Sequence, residues 1–154
     1  MTPNFLGRVQ TRVFLLAFIG VPVVLIVGFF LPVRTAPGAS SGEIRTDVWE
    51  AGLVTLLVVA VVGCVLWEPI YHWLQQYRWE KDWPTLFGLL TGINEGILAY
   101  FVVRDIGPTP EFAKVEAGGF TVLFVLVWLA TWLFANGPMR VLFVRWRFRG
   151  GRIV

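Results

Sequence analysis

The chain has one cysteine, one histidine and two serines in 154 residues, and each scarcity removes a class of chemistry. A single thiol, Cys64, forms no intramolecular disulfide. A single imidazole, His72, excludes a bis-histidine haem within the chain and a self-contained zinc site. Ser40 and Ser41 fall on the opposite side of the membrane from His72 in the topology derived below, so no Ser–His nucleophile pair can form. No glycine-rich phosphate loop follows a strand. These absences lead to the expectation of a non-catalytic chain without a metal or cofactor.

Charge is scarce too. Only 15% of residues are charged and 56% are hydrophobic, with a mean hydropathy of +0.70. A soluble domain of this size needs far more polar surface, so the composition points to an integral membrane protein. Hydropathy gives four runs near the ~20 residues that a bilayer core requires. They cover about 13–33, 51–68, 84–103 and 118–135. The first is longer than the ~7–15 residues of a signal-peptide core, and is read as a span. The expected fold is all-α: a four-helix transmembrane domain over 1–138, with short loops and a basic aromatic tail over 139–154.

Basic residues set the orientation. Arg8, Arg12, Arg78, Lys81, Arg140, Arg145, Arg147, Arg149 and Arg152 lie on one side of the four runs, against Arg34, Arg45, Arg104 and Lys114 on the other. Nine against four places both termini in the cytoplasm. The expected setting is a multi-pass protein of a bacterial plasma membrane.

The stretch YHWLQQYRWEKDWP, residues 71–84, is then the cytoplasmic connection between spans two and three. Trp67, Tyr71, Leu74 and Tyr77 recur at helical spacing, so the second helix is expected to continue beyond Pro69. Asp82 can cap the third span, with Pro84 in its first turn. The rings suit an interfacial belt. Gln75, Gln76, Arg78, Glu80 and Lys81 are the groups expected to dock a cytoplasmic partner.

The third run holds the unusual residues. Gly88, Gly92 and Gly96 recur every four residues and form a ridge that another helix can approach closely. Glu95 lies at the edge of that ridge, near the bilayer midplane, where a charge costs at least ~2.5–3.5 kcal/mol. No other run offers Lys, Arg or His at that depth. The carboxyl group is therefore expected to be neutral, to be bonded to uncharged groups, or to find its counter-charge on another subunit. Asn94 points nearly opposite, among Phe87, Leu90, Leu98 and Phe101.

From Leu142 to Arg149 apolar and basic residues nearly alternate, a period of two that predicts a strand. A lone strand needs a partner edge or a membrane surface. Arg145, Trp146, Arg147, Phe148 and Arg149 are thus expected to dock a partner or anionic lipid headgroups. Nucleic acid is not expected, since the arginines are accounted for as cytoplasmic topology determinants. Two functions follow as expectations. One is an accessory, scaffold or assembly subunit of a larger membrane complex. The alternative is a small homo-oligomeric proton- or cation-coupled transporter using Glu95.

Overall fold

Two prolines shape the first half of the chain. Proline lacks an N–H, and its ring crowds the carbonyl four residues earlier, so a helix that runs through it must give way nearby. At Pro22 and Pro69 the relief takes the same form. A single π turn, Leu16–Gly20 or Gly63–Trp67, ends two residues before the proline. Its closing bonds reach back five residues, from the Val21 N–H to the Leu16 carbonyl and from the Glu68 N–H to that of Gly63. The helices are thereby widened rather than broken.

The computed structural model describes residues 4–30, 41–77, 85–106 and 117–153. The first helix occupies residues 5–30 and the second residues 41–76, each with its π turn inside. The third is Thr85–Ile106 and the fourth Ala117–Asn136, followed by two short helices, Pro138–Leu142 and Val144–Phe148. No strand occurs among the described residues. Glu80, Asp82 and Pro84, and with them the expected docking residues Arg78 and Lys81, lie outside the described residues.

Neighbouring helices run antiparallel. The Trp49 indole donates to the Leu25 carbonyl at 3.1 Å, joining the first helix to the second. Trp128 donates to the Leu89 carbonyl at 3.2 Å, joining the fourth to the third. Arg8 reaches Gln75 and the Asn4 N–H donates to the Gly150 carbonyl at 2.8 Å. The start of the first helix, the turn at Gly150 and the end of the second helix therefore share one end of the bundle. Leu16, Val24, Leu56, Val59, Ala99, Phe120, Leu123 and Val127 fill the interior. Outside, Phe18, Ile26, Leu57, Val65, Ile97 and Leu133 are each more than half exposed. Three helices, Phe5–Gly28, Trp49–Gln76 and Ala117–Leu142, are long and apolar enough to cross a membrane. An outward face this apolar suits lipid rather than water, and the chain is a multi-pass membrane protein in that sense.

The tail departs from expectation. It forms no strand: the Phe143 N–H bonds to the Met139 carbonyl at 3.0 Å and the Arg149 N–H to that of Arg145 at 3.1 Å. Helical turns satisfy the backbone locally, which a solitary strand cannot do. The near-alternation carried no strand information, because tertiary anchoring fixes the segment instead. Met139 is fully buried, Phe143 meets the Phe14 ring edge-on at 5.4 Å, and Trp146 donates to the Thr11 hydroxyl at 2.8 Å. Gly150 and Gly151 then adopt positive φ values of 63° and 83°, which glycine tolerates without strain. Their turn lays the chain across Gly7, where an added Cβ would stand 2.7 Å from the Gly151 carbonyl carbon.

Backbone cannot swing aside as a side chain can. Gly7→Ala should therefore weaken tail docking by about 1–3 kcal/mol, and tryptic cleavage at Arg145 and Arg149 should accelerate at least about fivefold in detergent. Gly118→Ala, which meets nothing within 4 Å, is the control. Equal cleavage of the two variants would show that the tail is not held there.

Candidate functional site: a buried charge cluster

Hydropathy starts the first span at Val13 because Arg8 and Arg12 interrupt the apolar run. The helix starts at Phe5 instead, so both arginines lie inside it. Arg12 is seven residues in, or ~10 Å along the axis at 1.5 Å per residue. The second helix arrives with its own charge. Its inward residues run Gly52, Thr55, Leu56, Val59 and Gly63, then Glu68, Tyr71 and Gln75. Apart from the adjacent pair Thr55 and Leu56, steps of three or four give way to a step of five across the π turn. The extra residue re-aims the helix by about 100°, which turns Glu68 inward where Trp67 would otherwise point.

Four charges meet there. Arg8 Nε donates to Glu68 Oε2 at 2.6 Å, and its Nη1 donates to Gln75 Oε1 at 3.0 Å. Arg12 Nε donates to Glu68 Oε1 at 2.8 Å. Arg12 also grips Glu95 with both terminal nitrogens, Nη1 to Oε2 at 2.5 Å and Nη2 to Oε1 at 2.9 Å. Glu95 is 3% exposed, Gln75 4% and Glu68 5%. Two guanidinium groups against two carboxylates leave no net formal charge. Gly63 makes the room: a Cβ there would stand 2.8 Å from Arg12 Cζ.

The expectation for Glu95 is thus corrected. Its counter-charge is Arg12 of the same chain, not another subunit, and the carboxylate need not be neutral. A guanidinium suits the task because its planar fork serves two carboxylates at once in fixed geometry. Gln75 is corrected as well, being buried as an acceptor for Arg8 rather than offered to a partner. Gln76 is exposed.

The glycine ridge faces the fourth helix. An added Cβ at Gly96 would stand 2.7 Å from the Phe124 ring, and one at Gly92 would overlap the Trp128 indole. Gly88 is roomier, 3.9 Å from Trp132. The ridge therefore receives a ladder of rings rather than a bare backbone. Phe120, Phe124 and Trp128 stack at 5.7 and 6.0 Å between centroids.

Asn94 is exposed on the other side of the third helix, beside exposed Leu90, Ile97 and Phe101. In the tail, Arg145, Phe148 and Arg149 are exposed, whereas Trp146 is turned inward to Thr11. The Arg147 side chain lies outside what is described. Sequence reasoning missed Arg8, Arg12 and Glu68 as a site. The available signal was FLGRVQTR, in which Phe5, Leu6 and Val9 flank arginines spaced four apart, as on one face of a helix.

An apolar cavity of about 20 Å³ beside Leu16, Val24, Thr55 and Val127 has room for about one water, far short of the ~300 Å³ at which ligand pockets begin. Among the described residues no group of three or more His, Cys, Asp or Glu side chains could hold a metal ion. The cluster ties the first helix to the second and third. No family model, curated protein or solved structure matches this chain.

Proposed function

We propose that this chain is a non-catalytic accessory, scaffold or assembly subunit of a larger membrane complex, crossing a bacterial plasma membrane four times with both termini cytoplasmic. The observation that carries the reading is Asn94, an exposed amide on an otherwise apolar helix face. Left against lipid, an unbonded amide is costly, and a neighbouring transmembrane helix would satisfy it. The third helix joins the other three as a span because Arg12 neutralises its one central charge. Setting aside the buried, paired Arg8 and Arg12, basic residues still stand seven to four in favour of a cytoplasmic tail. The transporter alternative needs a carboxylate free to take up a proton or cation. Both Glu95 oxygens accept from Arg12, which counts against it.

Purification in mild detergent should bring down foreign membrane subunits with the wild-type chain. Asn94→Leu should lose them, since an interhelical hydrogen bond in a membrane is worth ~0.6–2 kcal/mol, roughly a 3- to 30-fold loss of retention. A wild type that runs as a lone homo-oligomer, or an Asn94→Leu variant with unchanged companions, would contradict the proposal.

A further inference from the structure

The anchored tail presents two parallel stripes. Trp146 is fixed inward by its bond to Thr11, which sets the rotation of the short helix Val144–Phe148. Val144 and Phe148, four apart, then lie exposed on one stripe, 56% and 76% accessible. Arg145 and Arg149, also four apart and tied by a backbone bond of 3.1 Å, lie exposed on the next. Val141 and Leu142 continue the exposed apolar surface back to the fourth helix, whose apolar run extends through Leu142. Basic and apolar surfaces set side by side, joined to the lipid-facing belt, match the depth at which phosphate gives way to acyl chain.

We infer that Arg145 and Arg149, with Phe148 beside them, form a site for the headgroup of an anionic phospholipid of the membrane that the helices cross. The two guanidinium groups take the phosphate oxygens as charge-assisted hydrogen bonds, while Phe148 and Val144 enter the glycerol and acyl zone. The favoured occupant is a lipid rather than an acidic protein because the apolar stripe is continuous with the lipid-facing surface. The inference rests on the membrane-spanning part of the proposed function and not on its partner subunits.

The test uses the full chain in nanodiscs of phosphatidylcholine and phosphatidylglycerol, extracted gently and weighed with its retained lipids by native mass spectrometry. Both leaflets of a nanodisc have the same composition, so the readout does not depend on orientation or on any partner subunit. The wild type should retain phosphatidylglycerol in excess of its share. Arg145→Gln/Arg149→Gln should lower that preference by roughly fivefold per arginine, while Arg104→Gln, a single exposed arginine near the other end of the third helix, should lower it by one such factor at most. Phe148→Ser should reduce retained lipid of both kinds. An unchanged preference in the double variant would overturn the site. So would tail-dependent capture of an acidic protein without any lipid preference.

Discussion

Arg12→Ala is expected to be the most damaging single substitution in this protein. It leaves Glu95 without a partner, and Glu68 with Arg8 alone, in an interior where both carboxylates are at most 5% exposed. Removing one member of a buried ion pair typically costs 3–5 kcal/mol, most of it the uncompensated charge that remains. The variant should lose its sharp thermal transition in dodecylmaltoside and elute as aggregate in size-exclusion chromatography. Arg12→Lys should rescue it poorly, because an ammonium cannot serve two carboxylates through a planar fork. Arg8→Ala should be milder: Glu68 keeps Arg12, and the Arg8 side chain is already 15% exposed. A thermal midpoint for Arg12→Ala within a degree of wild type would show that the cluster contributes nothing.

Gly92→Leu is expected to have the second-largest effect. The Trp128 ring occupies the space a side chain would need. The ring is held by its bond to the Leu89 carbonyl and by its stack on Phe124, so it cannot easily move. Overpacking of this kind costs about 1–3 kcal/mol, and more where the neighbour is rigid. Gly88→Ala, 3.9 Å from Trp132, should be nearly neutral, which separates a steric cause from any general need for glycine. Trp128→Ala should partly rescue Gly92→Leu by vacating the space. Equal thermal midpoints for Gly92→Leu and Gly88→Ala would contradict this packing.

What was legible in the sequence was what burial in lipid dictates along a run. The apolar stretches announced an all-helical chain, and the helical spacing of Trp67, Tyr71 and Leu74 carried the second helix past Pro69. What was hidden depends on contacts between distant residues. Hydropathy averages a window, so two arginines near the start of a helix look like a flank. Only the packing of the first helix against the second and third shows them inside, with Arg12 lying 56 and 83 positions away from its two partners. The inward turn of Glu68 was hidden because it depends on a π turn that shifts the helical phase. The tail misled for another reason: alternation over eight residues is weak information, and Trp146, Met139 and the glycine turn outweighed it.

The tie between Arg12 and Glu95 also changes what a conservative change at the carboxylate should do. Glu95→Gln would be harmless for a neutral acid acting as glue, since the amide keeps the shape. Here it leaves Arg8 and Arg12 facing Glu68 alone, one positive charge in excess. Arg12→Met leaves one negative charge in excess. Combining the two leaves Arg8 with Glu68, which balance.

A double-mutant cycle on thermal stability over Arg12→Met and Glu95→Gln therefore tests most directly whether the buried charges are a closed structural unit. The expected result is a double variant more stable than Arg12→Met alone, with a coupling of about 2–3 kcal/mol between the two sites, near the top of the range for contacting pairs. Strictly additive losses, with coupling near zero, would mean that Arg12 does not neutralise Glu95, and the buried carboxylate would again be available to handle ions.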